Sequence, residues 1–551
     1  MSEHPNPGEA THADAQVAAQ EDAEPSRAGR LARSTALFSA ATALSRVAGL
    51  VREIVAASYF GVTAQMSAFT IAFQVPNLVR SLFADAAIQA AFVPVFTERL
   101  EEGNRREAFR LASSLVFLVA LVLGGLTALF ILLAPVVMPL FVPDRYADVT
   151  DLTVVLSRLL FPIVLLLGIT GMLVGILNSY DRFGAFAIAP FFWNVAIIAV
   201  LVGLAPAFPP EDEIYAYAIG VLVGTVIQLA IPAWDLRKTP YGLRRAVVAM
   251  FSFRFSDLRD SNLQRILILM LPVTISLGLI NVNLVINSTV GFLVSEEAPA
   301  AIDKAFRIYM LPQGVFSVAI ATVLFPTMAR FAARADFNSL RRTMANGIRQ
   351  ILLLLVPAAA AIVVLSEPMT RLVYERGAFD AGSTDLVSEA LFWFAFSLPF
   401  NGVFLLQTRT FFSLQRPWLP TAIALGNLLI TAGVSLAFYE PFGVGGIVAA
   451  TAIATIASVI AQAVVLRSHL GRLELGRLAW SGSRILLASA ALAGVALGVW
   501  DVLDSALGRG LAGQIVSLGV ALAAGAAAYA GALLVLRVPE MNQVLSVIRR
   551  R

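Results

Sequence analysis

The chain is poor in charge and has no cysteine. Only 14% of its 551 residues are charged, 58% are hydrophobic, and cysteine is absent. Missing thiols exclude disulfide bonds and thiol chemistry. A mean hydropathy of +0.80 is too high for a protein whose whole surface faces water. The composition therefore indicates a polytopic membrane protein.

Residues that do chemistry are also scarce. The 3 histidines are scattered, so no metal site is expected. The sequence contains no nucleophile–base set and no nucleotide-binding loop, and we expect no enzymatic activity. No cofactor is expected either, while coupling to the membrane potential or to an ion stays open. Basic residues lie between the apolar runs, which argues against a nucleic-acid partner.

Apolar runs of about 20 residues recur after residue 33, which is typical of membrane-spanning helices. We predict an all-α protein with about fourteen such spans. Residues 1–32 are polar, and residues 1–30 contain no apolar stretch that a signal peptidase would recognise. We interpret this segment as a disordered cytoplasmic tail.

The distribution of arginine and lysine predicts the topology. Basic residues mark alternate loops, whereas GVTAQM, PAFPPEDEIY and EPFGVGG contain none. Cytoplasmic loops are enriched in Lys and Arg, so both termini are predicted to be cytoplasmic and the number of spans to be even. The basic stretches are 27–33, 99–110, 182, 237–259, 330–342, 467–477 and 549–551.

A weak internal repeat suggests two lobes. Residues 134–153 resemble 367–387, and 92–100 resemble 324–332, as expected for two six-helix units with the substrate between them. The predicted parts are an N-terminal lobe (33–240), a cytoplasmic linker (241–262), a C-terminal lobe (263–470), and two further helices with a cytoplasmic C-terminus (471–551).

The last two spans, 484–500 and 511–537, are rich in small residues. Small residues allow helices or lipid to approach closely. Plain helix packing is one explanation. The alternative is a groove that faces the lipid and holds the tail of a substrate.

Four arginines stand inside apolar stretches. An arginine at a helix centre costs about 2.5–3.5 kcal/mol, so four cost about 10 kcal/mol. Such a cost is tolerated where the charges face a wet cavity and a negative ligand. The pattern predicts a transporter of an anionic substrate, and the four are Arg46, Arg52, Arg80 and Arg307.

Other polar residues accompany the arginines. Asn77, Ser81 and Asp85 step by four along the second span and form one stripe. Polar contacts between helices would explain Asn77 and Ser81 but not Arg80. For Arg307, an ion pair with Asp303 four residues earlier is the competing explanation.

These elements closely resemble the MurJ/MviN family of lipid II flippases. The resemblance runs from about residue 33 to 470 and rests on S-R-x-x-G-x-x-R (45–52), P-N-L-x-R (76–80) and RIYMLPQGVFSVAIATVLFP (307–326). It implies a fourteen-helix fold of the multidrug/oligosaccharidyl-lipid/polysaccharide exporter superfamily. It also implies transport of lipid-linked peptidoglycan precursor to the outer leaflet of the bacterial cytoplasmic membrane.

The resemblance also implies site residues. Arg46, Arg52, Arg80 and Arg307 match cavity arginines of the family, Ser45 matches a cavity serine, and Glu53 stands where relatives often have Asp. The chain departs from the pattern at Ser67, an Asp in some members, at Phe306, an acid in some, and at the loop 414–420. The predicted substrate-binding set is Ser45, Arg46, Arg52, Glu53, Asn77, Arg80, Asp85 and Arg307.

The expected partners are lipid II and membrane lipids, with cell-wall synthesis proteins as further candidates. Arginine forks suit the diphosphate and peptide carboxylates of lipid II. One alternative is another exporter of the superfamily, for a lipid-linked oligosaccharide or a drug, although a cation exporter would favour buried acids. Another is a membrane scaffold for cell-wall enzymes, which would have no use for the arginines.

Overall fold

A computed structural model describes residues 41–83, 85–251, 261–471 and 473–538. The predicted tail at 1–32 and the basic C-terminus at 549–551 lie outside the described residues. Residues 252–260 of the predicted linker also lie outside them.

The described residues form helices joined by short loops, as the apolar periodicity predicts. Their bounds are α1 (41–60), α2 (Ala64–Phe83), α3 (Asp85–Glu101), α4 (Arg105–Val137), α5 (Ala147–Leu160), α6 (Pro162–Asn178), α7 (Gly184–Leu204), α8 (Glu213–Leu236), α9 (Leu243–Ala249), α10 (Ser261–Val294), α11 (Ala298–Pro312), α12 (Val318–Ala333), α13 (Phe337–Tyr374), α14 (Ala381–Ser413), α15 (Trp418–Leu470), α16 (Leu475–Leu507) and α17 (Leu511–Val535).

Ten helical segments of the described chain are long and apolar enough to cross a membrane. The paired helices α5–α6 and α11–α12 each count as one of these segments. The helices α1 and α10 and the α2–α3 pair add one crossing each, and α15, which is broken at Gly443, counts as two crossings instead of one. The total is then fourteen crossings. The predicted all-α polytopic fold is confirmed.

Some of the long helices are interrupted at a glycine or a proline, which disturbs the regular backbone hydrogen bonding of a helix. The 53-residue α15 changes direction at Gly443, where φ is 54° and ψ is −136°. Glycine adopts this region without a steric penalty. Between α11 and α12, Gln313–Ser317 form a π-helical turn directly after Pro312. A proline removes a backbone donor, and π-turns are frequent at functional sites.

Helix packing follows the chain order. Helices α2 to α8 contact one another, and α10 to α15 contact one another, while α10 and α11 both pack against α2. The resembling stretches 134–153 and 367–387 each join the end of one long helix to the start of the next. The division into two lobes by duplication stays a prediction.

The final pair, α16 and α17, packs together and against α13. A methyl group at Gly525 would lie 3.0 Å from Cβ of Ala496 and 3.1 Å from the carbonyl oxygen of Leu492. Gly525 is therefore a contact between α16 and α17. Gly494 and Gly498 have no described neighbour within 4 Å of that position, so their face of α16 is open.

The two halves meet at the end where α1 finishes and α2 begins. The Ala378 N–H donates to the carbonyl oxygen of Ser58 over 2.9 Å. Gly377 has φ of 63°, and a methyl group there would lie 2.2 Å from the same oxygen. Only glycine fits this close approach. We call the contact between residues 58–61 and 375–380 the seal.

Two further bonds close this end of the molecule. The backbone N–H of Ala300 donates to Oγ of Ser67 over 3.2 Å, so the hydroxyl tethers the start of α11 to α2. Arg145 donates from Nη2 to the carbonyl oxygen of Leu293 over 2.6 Å. Under the predicted topology, this is the outer end.

The topology is testable by cysteine labelling, since the chain has no cysteine of its own. Glu102 and Pro210 are exposed in loops at opposite predicted faces. With a membrane-impermeant thiol reagent added to intact cells, we expect labelling of Pro210→Cys and none of Glu102→Cys until the cells are permeabilised. Labelling of Glu102→Cys in intact cells would contradict the orientation.

Candidate substrate-binding site

The motif on α1 places two opposite charges side by side inside the protein. Arg52 and Glu53 are 8% and 5% exposed, and the Arg52 guanidinium contacts the Glu53 carboxylate. A buried charge is tolerated when it is paired and hydrogen-bonded. These two residues therefore require further partners from other helices.

Those partners come from α11. Nζ of Lys304 lies 2.9 Å from Oε2 of Glu53, and Nη1 of Arg307 lies 3.9 Å from Oε1. Arg307 also contacts Asp303 at 3.3 Å. The expected local pair between Arg307 and Asp303 is thus present, but it is part of a larger cluster that joins both halves.

The cluster carries an excess of positive charge. Three cations, Arg52, Lys304 and Arg307, surround two carboxylates, Glu53 and Asp303. The formal net charge of these five groups is one positive unit. Arg307 is the accessible member, with a side chain that is 37% exposed, compared with 0% for Lys304.

A small cavity with a volume of about 20 Å³ adjoins this cluster. Its wall combines the charged groups with aromatic rings, which is typical of ligand sites. The guanidinium carbon of Arg52 lies 4.7 Å from the centre of the Trp193 ring. The lining residues are Arg52, Glu53, Met66, Phe69, Thr70, Phe73, Gln74, Trp193, Tyr217, Val221, Asp303 and Arg307.

Two buried polar atoms in this wall lack a partner in the described part of the chain. They are Nε of Arg52 and Oε1 of Gln74. An unsatisfied buried donor costs about 1–3 kcal/mol. The guanidinium of Arg52 thus retains an N–H group that can donate a hydrogen bond to an anionic ligand.

Arg46 and Ser45 lie nearer the start of α1. Arg46 is exposed, and a methyl group on Gly314 in the π-helical turn would lie 3.7 Å from its Nη1. Arg46 therefore faces the opposite half. The backbone carbonyl of Ser45 accepts a long 3.5 Å contact from Nδ2 of Asn194.

The second motif lies near the end of α2, on the side of the cavity away from the seal. Nε of Arg80 donates to Oδ1 of Asn77 over 2.9 Å, and Asn77 reaches Asn281 of α10 over 3.4 Å. Asn77 thus contacts the other half. The side chain of Asp85 lies outside the described residues.

The structure therefore separates the predicted set into two groups. Arg52, Glu53 and Arg307 line the cavity, whereas Arg46 and Arg80 are not among its lining residues. The sequence analysis missed Lys304 and the aromatic wall of Trp193 and Tyr217. A lysine inside an apolar span was a signal for Lys304, but no local pattern marked the aromatic residues.

A family model described as "Lipid II flippase MurJ" matches residues 56–514. The chain belongs to the MurJ family.

Individual relatives agree with this assignment. A "Probable lipid II flippase MurJ" of Rhizobium meliloti (strain 1021) is 32% identical over 450 residues, which cover 80% of this chain and 82% of the relative. A "Lipid II flippase MurJ" of Burkholderia cenocepacia is 29% identical over 422 residues, covering 76% and 80%.

Solved structures show the same fold. A "Lipid II flippase MurJ, inward closed conformation" matches with a TM-score of 0.73 at 23% identity, covering 90% of this chain and 99% of the other. An inward-facing multidrug resistance MATE family transporter matches with a TM-score of 0.67 at 15% identity, covering 78% and 95%. The expected fold is confirmed.

The structure also gives a role to two of the three departures from the family pattern. Ser67 replaces an acid of some members and still accepts the bond from Ala300. Phe306 packs near Tyr309 and Phe394, with ring centres 5.7 and 5.8 Å away. The acid beside Arg307 is supplied by Asp303, one turn earlier on α11.

Proposed function

We propose that this protein moves lipid II from the inner to the outer leaflet of the bacterial cytoplasmic membrane, with both termini cytoplasmic. The observation that carries the proposal is the positively charged cluster that lines a cavity between the two halves of a MurJ-family fold. Lipid II presents a diphosphate and carboxylates, and guanidinium groups bind such anions through charge-assisted hydrogen bonds.

The charge balance suits a substrate that must be released. Two carboxylates offset two of the three cations in the cluster, so an anion meets a moderate attraction. At about 20 Å³, the cavity is far smaller than the roughly 300–1,000 Å³ typical of small-ligand pockets. In this state it has room for about one water molecule, and a wider state is required for the headgroup to bind and pass.

Alternating access provides that wider state. The seal and the Ser67–Ala300 bond join the halves at the seal end, whereas Asn77 and Asn281 join them farther from it. Rocking of the halves about the central cluster would open this end and close the other. Arg46 and Arg80, nearer the opposite end, would meet the anionic headgroup first as it enters from the cytoplasm.

A cation exporter of the same superfamily is the alternative function. Such a protein would hold its substrate with buried acids. Here the two acids that line the cavity, Glu53 and Asp303, are already paired with cations from the same cluster. The sign of the remaining charge favours an anion.

The arginines provide the decisive test. In a bacterium depleted of its own flippase, Arg46→Ala, Arg52→Ala or Arg307→Ala should abolish rescue and the arrival of lipid II in the outer leaflet. Replacement by Lys should restore only part of the transport, since the charge remains but the planar fork is lost.

A matched control is Arg477→Ala, because this side chain is 77% exposed on α16 and should have no effect. All variants are compared at equal abundance in the membrane. Full transport by Arg307→Ala would contradict a role of Arg307 in substrate binding. The ion pair with Asp303 would then be the remaining explanation for this arginine.

The final helix pair is proposed to hold the polyprenyl tail outside the charged cavity. Gly494 and Gly498 leave an open face on α16, and each CH₂ group kept in apolar surroundings gains about 0.8 kcal/mol. Leucine at either position should weaken binding of full-length lipid II more than binding of a short-chain analogue.

Gly525 serves as the comparison, because it is buried and a methyl group there would contact Ala496 and Leu492 rather than lie in a groove. Gly525→Leu should lower the stability of the helix pair and reduce binding of both substrates alike. Equal losses for both substrates at Gly494 and Gly498 would mean that these positions also serve packing only.

A further inference from the structure

Lys304 is a buried cation with no direct access to the cavity. Its side chain is 0% exposed, and its Nζ lies 2.9 Å from Oε2 of Glu53. Desolvating a lysine and a carboxylate costs several kcal/mol per ion before their attraction offsets it. A chain that serves only to bind an anion would gain more from a cation that the ligand can reach.

The pair crosses between the two halves directly beneath the seal. Glu53 belongs to α1 and lies five residues before Ser58, whose carbonyl accepts the bond from Ala378. Lys304 belongs to α11. The hydroxyl of Tyr374, the last residue of α13, donates to the Lys304 carbonyl over 3.4 Å. Residue 375, where the second side of the seal begins, follows Tyr374 directly. Glu53 is therefore connected to one side of the seal through α1, and Lys304 is connected to the other side through Tyr374.

Each half also holds a counter-ion of its own. Glu53 contacts Arg52 on α1, and Arg307 contacts Asp303 on α11 at 3.3 Å. If the halves separate, the Glu53 carboxylate keeps Arg52, and Lys304 stays on the helix that carries Asp303. The inter-half pair can therefore break without leaving an isolated carboxylate.

We infer that the Lys304–Glu53 ion pair is a latch that keeps the seal end closed and separates when that end opens. The backbone bond of the seal lies at the surface, where water can replace it. Water cannot replace the buried ion pair until the halves have parted. The pair therefore contributes a part of the closing free energy that the exposed backbone bond cannot. Lys304 is a positioning residue in this role and does not touch the substrate.

The latch rests on the alternating access of the proposed function, but its test needs no lipid II. In the cysteine-free chain, Ala57→Cys places a thiol on α1 between Glu53 and the seal, at a position that is 0% exposed. Ala57 is four residues after Glu53 and shares its face of the helix. The measured quantity is the rate of labelling by a charged, membrane-impermeant maleimide added outside intact cells.

With Lys304 and Glu53 unchanged, labelling should be slow. Lys304→Met, which leaves Glu53 with Arg52 and Arg307, should raise the rate about tenfold, equivalent to about 1.4 kcal/mol of lost preference for the closed state. Glu53→Gln should have a similar effect. The double variant should label no faster than either single variant, since both remove the same interaction.

Arg182→Met is the matched control. It removes an ion pair with Asp235, in which Nε lies 3.1 Å from Oδ2, but both residues belong to the N-terminal half. It should leave the labelling rate of Ala57→Cys unchanged.

Three results would overturn the latch: an unchanged rate in Lys304→Met, an equal rise in Arg182→Met, or additive effects in the double variant. If Glu53→Gln fails to accumulate because it leaves Lys304 unpaired, Lys304→Met and the double variant, which contain no unpaired lysine, decide the question. Failure of lipid II transport with a normal labelling response would contradict the proposed function and leave the latch intact.

Discussion

The structure depends on one buried carboxylate shared between its two halves. Glu53 of α1 meets Arg52 on its own helix and Lys304 and Arg307 on α11. Removing one partner of a buried ion pair typically costs about 3–5 kcal/mol, because a charge is left uncompensated. The central cavity, the register of α1 against α11 and the closed end all require these four groups to stay together.

The same cluster determines which kind of substrate can be held. A cavity with three cations alone would bind an anion too firmly for transport, and one with balanced charge would attract none. Under the proposed function, the excess of one positive unit and the accessible side chain of Arg307 favour moderate and reversible anion binding, as does Nε of Arg52, which has no partner among the described residues. Helix breaks at Gly443 and at Gln313–Ser317 both lie in the C-terminal half.

Much of this could be predicted from sequence because the signals are local. Length and hydropathy of the apolar runs follow from the thickness of the bilayer, and the fourteen crossings were predicted from them. An arginine within a span is also visible without a structure, since the membrane makes it costly wherever it lies. Arg52 and Arg307, singled out for this reason, do line a cavity, while their binding of substrate stays a prediction.

The tertiary structure alone decided which charges meet. Glu53 and Lys304 are 251 residues apart, and no spacing rule relates positions on different helices. It also showed that Gly525 packs against α16 while Gly494 and Gly498 do not, although all three stand in similar small-residue runs. The sequence by itself determined that the chain lies in a membrane and that each charge buried there is costly. The partner that offsets this cost is set by the packing of helices that are distant in the chain.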